Sequence, residues 1–152
     1  MEPSPVFARV VGNRCWRARR GYGSFLTFEF GGRIVDDVGD RGEWHLWVYG
    51  GEWTLLAGDE RLAVWSDDHG TIERAAATFT DTRLTSVAFE PESLETVFVF
   101  DDTLKLTVGP NSDEETEDAD WLLLFTPGEQ VLTVGGGGEW HYRSAHEPLS
   151  RR

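Results

Sequence analysis

The groups able to do chemistry in this chain are four histidines, one cysteine and 27 acidic residues. A histidine beside a carboxylate is the usual general base of a hydrolase, and Asp67-Asp68-His69 offers that pair. The same three residues read equally well as a solvated turn ahead of a helix. A zinc site wants three or four ligands with close pairs on rigid elements. His45, His69, His141 and His146 come with no cysteine pair and no His-Glu-x-x-His, so no metal and no cofactor is expected. Gly-x-Ser-x-Gly, the nucleophile elbow, is absent. Gly21-Tyr22-Gly23-Ser24 resembles the start of a phosphate-binding loop, but Leu26 breaks the glycine pattern and the segment enters a strand. It reads as a hairpin turn. Arg14 and Arg17 near Cys15 would lower its thiol pKa, while Trp16 beside it argues for partial burial. None of this amounts to a catalytic signature, and the chain is read as a non-enzyme.

Binding chemistry is better represented. The net charge is −13 and unevenly spread: residues 1–41 hold seven arginines against five acids, residues 42–152 seven bases against 22 acids. So negative a chain opposes direct nucleic-acid binding, which depends on Lys and Arg neutralising phosphates. It favours a basic protein partner through complementary fields. Six carboxylates fall within residues 113–120: Asp113, Glu114, Glu115, Glu117, Asp118 and Asp120. They are either a solvated loop or the patch that meets such a partner, a toxin or the subunit of a complex. Arg17, Arg19 and Arg20, with Arg14, make a compact basic edge that serves as a second contact or docks on this loop. A different reading comes from Glu43, Glu52 and Glu139, each followed by a tryptophan. Trp44, Trp47, Trp53 and Trp140 could line a sheet face that takes a small ligand or carbohydrate, the ring stacking and the acid accepting hydroxyl protons.

The elements that must position these residues follow from hydrophobic periodicity. Gly42 to Leu56 is the most distinctive stretch. Trp44–Tyr49 and Trp53–Ala57 flank Gly50-Gly51 and read as a hairpin, with Trp44, Leu46 and Val48 on one strand face and His45, Trp47 and Tyr49 on the other. Neither face is clearly polar, which suggests an interior strand covered on both sides. Cys15–Arg20 and Ser24–Phe30 are two strands, the second with Leu26, Phe28 and Phe30 inward and Thr27 and Glu29 outward. Gly31 to Arg41 reads as a loop. Further strands are expected at 62–65, 84–89, 96–100, 103–108, 121–125, 130–134 and 139–143, with turns at Asp101-Asp102 and Pro127-Gly128. One firm helix is expected at about 71–80, capped by Thr71 and striped by Ile72, Ala75, Ala76 and Phe79. A short N-terminal helix over 5–13 would bury Val6, Phe7, Val10 and Val11. The sum is an α+β fold, mostly antiparallel sheet of about ten strands, in a single domain 1–152 whose tail frays from about 144. Gly-Glu-Trp-His occurs at 42–45 and 138–141, a hint of two related halves either side of the helix.

The lone Cys15 rules out an internal disulfide and fits a reducing cytoplasm. The N-terminal Met-Glu-Pro-Ser-Pro lacks a signal-peptide layout, and no apolar run approaches the roughly 20 residues of a membrane helix. Thirteen of the fourteen bases are arginine, the usage of a GC-rich bacterial genome. At Gly21-Tyr22-Gly23-Ser24-Phe25-Leu26-Thr27-Phe28-Glu29-Phe30-Gly31 and Gly42-Glu43-Trp44-His45-Leu46-Trp47-Val48-Tyr49 the chain resembles an uncharacterised family of small bacterial proteins. The likeness extends to Val97–Phe100, Leu124–Gly128 and Val131–Gly135. The resemblance implies one fold over most of the chain and, by analogy with small acidic immunity proteins, binding rather than catalysis. It brings no catalytic residues.

Overall fold

The computed structural model describes residues 4–21, 23, 25–37, 39–48, 52–109, 121–135 and 139–144. It is an α+β fold of two helices and eleven antiparallel strands in one open sheet. In chain order the elements are α1 (Ser4–Val10), β1 (Arg14–Arg20), β2 (Leu26–Asp36), β3 (Gly39–Val48), β4 (Glu52–Ala57), β5 (Glu60–Val64), α2 (His69–Ala77), β6 (Thr82–Phe89), β7 (Thr96–Phe100), β8 (Leu104–Gly109), β9 (Leu122–Thr126), β10 (Gln130–Gly135) and β11 (Glu139–Ser144). Across the sheet they run β11-β10-β9-β3-β2-β1-β6-β7-β8-β4-β5.

That order contains a repeat. Exchanging β1 with β6, β2 with β7, β3 with β8, β9 with β4 and β10 with β5 reproduces it, so the chain is two halves related by a pseudo-two-fold axis, with β11 added at one edge. The strand registers agree residue by residue. Phe30 pairs with Trp44 and Phe28 with Leu46 as Phe100 pairs with Leu104 and Phe98 with Leu106. A β-bulge lies between Cys15 and Arg17 and again at the equivalent Leu84 and Ser86. On the axis itself Arg14 pairs with its own counterpart, Arg83. Either side of it Gly12 N–H donates to Leu84 C=O and Asp81 N–H to Cys15 C=O, both at 2.7–2.8 Å. Gly12 and Asp81, the matching donors, both sit at positive φ, 96° and 70°. Each half also gives its following hairpin away: β4–β5 extends the second half by pairing with β8, and β9–β10 extends the first by pairing with β3.

The helices are exchanged as well, α1 packing on β6 and α2 on β1 and β5. Phe7 of α1 meets Phe98 edge-on at 5.7 Å, and Phe79, just past α2, meets Phe28 at 6.1 Å. Phe30 and its counterpart Phe100 stack on each other with centroids 6.1 Å apart. Strands β2 and β7 are three steps apart, which in a flat sheet would be about 14 Å. The sheet therefore folds over at the short β1–β6 seam, and the inner faces of the two halves share one core.

Several expectations change. Trp44–Tyr49 and Trp53–Ala57 do not form a hairpin, because β3 has β2 and β9 on its edges and β4 has β5 and β8. β3 is an interior strand, but its second face is not covered: His45 and Trp47 are only half-buried. Segment 31–41 is not a loop. Arg33–Asp36 pairs with Gly39–Gly42, extending the β2–β3 hairpin into an arm, despite a Gly- and Asp-rich composition. Helix α2 begins at His69, with Asp68 rather than Thr71 as its cap, the Asp68 carboxylate accepting from Thr71 N–H at 3.0 Å. The short helix and the Asp101-Asp102 turn fall where expected, and every expected strand is present, β2 and β3 being extended by the arm. The sequence repeat Gly-Glu-Trp-His is not the structural one: His45 lies on β3, whereas His141 lies on the unmatched β11. The tail beyond 144 is outside the described residues.

Candidate functional site

The second half turns from β7 to β8 through Asp101, Asp102 and Thr103, with Thr103 N–H donating to Phe100 C=O at 3.1 Å. Where that tight turn stands, the first half carries the arm. Its base is a bulge: Gly31 and Gly32 face the single residue Glu43. Gly31 has φ 75°, and a Cβ there would come within 2.5 Å of the Glu43 carboxylate, which instead accepts from Gly32 N–H at 3.0 Å. Bulges bend a strand and re-aim its side chains. Gly42 is packed more tightly still, since a Cβ would meet backbone atoms of Phe30 and Trp44 at 2.5–2.7 Å. The arm is held sideways by Asp40, which accepts from Arg17 at 2.9 Å and lies 3.4 Å from Arg33. The hydrogen bond from Arg17 holds the Asp40 carboxyl below the ordinary carboxylate range. Arg33 in turn covers the Trp16 ring at 4.4 Å.

Inside this bend sits Glu29, a carboxylate only 2% exposed. Both of its oxygens meet Nδ1 of His45, at 2.7 and 2.8 Å, and one also accepts from Gly42 N–H at 2.9 Å. Stripping water from a carboxylate costs several kcal/mol unless partners replace it, and these three contacts do so. A carboxylate can only accept, so Nδ1 carries a proton and the tautomer is set. Glu29 was expected on a solvent face. The β2–β3 register places it directly opposite His45 instead, and His45 opposite Phe125 of β9.

His45 forms part of a cleft of about 340 Å³ between the arm and the β9–β10 turn. Ile34, Trp47, Phe125 and Pro127 give apolar walls; Arg41, Glu43 and Glu129 bring charge. The imidazole centroid is 6.3 Å from Trp47 and 5.7 Å from Phe125, and Phe25 meets Trp47 edge-on at 6.4 Å. Ile34 lines the cleft from the arm, and next to it on the strand Val35 is 73% accessible. Gly128 and Glu129, at φ 90° and 61°, complete the opposite wall's turn.

The expected sites fare differently. Asp113, Glu114, Glu115, Glu117, Asp118, Asp120 and His146 lie outside the described residues. Arg17 is taken by Asp40, and Arg20 by Glu73 at 2.5 Å and Gly23 C=O at 2.8 Å; Arg19 is exposed. Arg14 pairs with Asp81. Trp44 and Trp53 are core residues, at 6% and 1% exposure, and Trp140 is half-buried against the core. Of the four tryptophans, Trp47 is the one in the cleft. Asp67 accepts from Val64 N–H and Asp68 caps α2, so neither is poised on His69. His141 lies 3.5 Å from Glu139 on the edge strand. Cys15 is fully buried, and burial pushes its thiol up to about 12, outweighing the arginines expected to lower it. Among the described residues no group of three His, Cys, Asp or Glu could hold a metal, and no helix is long and apolar enough to cross a membrane.

The pair that sequence reasoning missed is Glu29 with His45. Its signal was a register, and the register was hidden by reading the arm as a loop. Compared with known proteins, the chain matches no family model, no curated protein and no solved structure.

Proposed function

We propose that this chain is a non-enzymatic binding domain for a basic protein, which it meets through the arm and the adjoining cleft. The observation that carries the reading is the difference between the halves. Only the first has an arm with exposed Ile34 and Val35 beside a cleft floored by a buried Glu–His pair. A fold that repeats itself does not need these additions for its own stability. The excess of acids supports a basic partner by steering and complementarity. A bacterial immunity protein that neutralises a basic toxin, or a small subunit of an assembly, fits this description. Asp113 to Asp120 would add to the same field. A tagged pull-down from the native host at low and high salt tests it. One stoichiometric basic protein, released by salt and lost in Val35→Asp, is the expected result; no partner at either salt overturns it.

One observation favours a second reading, the small-ligand or carbohydrate module: Trp47 stands in the cleft with its ring near His45. Trp44 and Trp53, being buried, cannot stack on a sugar. A panel of sugars and nucleotides that leaves tryptophan fluorescence flat would remove this reading.

A further inference from the structure

Among the described residues Glu29 is the buried charge, and the position that matches it in the repeat is Val99. The row Glu29–His45–Phe125 across β2, β3 and β9 corresponds to Val99–Lys105–Leu56 across β7, β8 and β4. The second half shows that an apolar residue suffices at this position. The carboxyl side chain in the first half therefore serves something other than packing. With Nδ1 committed to Glu29, the imidazole in its neutral form presents Nε2 as an acceptor. Among the described residues Nε2 has no hydrogen bond, and the ring is 19% exposed, with the cleft in front of it. Its guest must bring an N–H or O–H.

The surroundings decide which. The charged groups around His45 are Glu29 from β2, Arg41 and Glu43 from β3, and Glu129 from the β9–β10 turn: three carboxylates against one guanidinium. Trp47 and Phe125 flank the imidazole, and the aromatic face is a site for cations. A flat, donor-rich cation meets all three conditions at once, and among side chains that is arginine. We infer that the cleft receives an arginine side chain of the basic partner, its guanidinium donating to His45 Nε2 and lying against Trp47 and Phe125. This rests on the binding reading above and names the residue type it captures.

The test uses the full chain and blocked Gly-Arg-Gly peptide, with the citrulline peptide as a neutral isostere and a Gly-Tyr-Gly peptide as a neutral donor. Titration calorimetry is expected to give at least about tenfold preference for arginine over citrulline, the size of a hydrogen bond to a charged group. A similar loss is expected in Glu29→Gln and His45→Gln, with circular dichroism checking that both remain folded. Trp47→Leu, which leaves the pair intact, should also weaken arginine binding. The His45 Nε2 resonance should move on peptide addition. Equal binding of arginine and citrulline, preference for tyrosine, or affinity unchanged in both Trp47→Leu and His45→Gln overturns the inference. If no peptide binds but a basic protein is still captured through Val35, arginine capture falls and the binding reading stands. If both fail, both fall.

Discussion

The two halves of this molecule solve the same packing problem with different surfaces. Phe28 and Phe30 do in the first what Phe98 and Phe100 do in the second, and Leu46 and Val48 match Leu106 and Val108 in register. The inward faces are thus nearly interchangeable. The outward faces are not: Val99 is half-buried beside an exposed Lys105, while a buried Glu29 is hydrogen-bonded to a half-buried His45 under a cleft. An internal repeat supplies its own control. What both halves keep belongs to the fold, and what only one has is where the proposed function is sought.

Equivalent substitutions should separate those two parts. The largest contrast is at the pair itself. His45→Ala leaves Glu29 buried with only Gly42 N–H, and is expected to cost about 3–5 kcal/mol in urea unfolding. Lys105→Ala, at the matching exposed position, should stay within about 0.5 kcal/mol. The double variant Glu29→Val, His45→Leu makes the first half resemble the second; it should recover or exceed wild-type stability while losing partner binding. A double variant as unstable as His45→Ala would mean that the pair supports the fold.

A smaller effect sharpens the comparison at the seam. Cys15 takes the place of Leu84 in the repeat and behaves as a small apolar residue. With its thiol raised to about 12 by burial, it should resist a thiol reagent at about pH 8 and react only on unfolding. Rapid labelling of the native protein would contradict the packing described at the axis. The smallest effect concerns Asp68, whose carboxyl is held below its ordinary range by hydrogen bonds from the Thr71 hydroxyl and N–H. Asp68→Asn keeps a capping acceptor but removes the negative charge at the helix N-terminus, and is expected to lower Tm slightly at neutral pH. Because the folded pKa lies below the unfolded one, this contribution is complete above the usual carboxylate range and vanishes as pH falls through the folded value. Melting curves at about pH 7 and about pH 3 should show the gap between variant and wild type closing.

Much of this fold was legible as alternation. Leu26-x-Phe28-x-Phe30 and Leu104-x-Leu106-x-Val108 mark half-buried strands wherever they occur, because a pleated strand puts every second residue on one face. What alternation cannot carry is which strand lies beside which. The Gly50-Gly51 pair suggested a hairpin, yet β3 and β4 seek partners in opposite halves. The repeat was equally hidden, since the halves share an apolar pattern rather than residues, and the exact repeat Gly-Glu-Trp-His falls in the middle of β3 in one copy and on the unmatched β11 in the other. The site suffered most. Glu29 reads as a surface residue on any strand, and only cross-strand register, set by the Gly31-Gly32 bulge, brings it under His45.

The exchange of hairpins also has a consequence during synthesis. Strand β3 is among the earlier parts of the chain to be made, but β9, which covers its outer edge, follows Val48 by roughly 70 residues, several seconds at ribosomal speeds. During that interval the first half exists as a meander with an open, apolar edge, the kind of surface that recruits strands from neighbouring chains. Its completion waits on the arrival of the second half, whose β8 can take β4 as soon as it emerges. The later-made half is thus the first that can close, and the half carrying the cleft completes its sheet only after it.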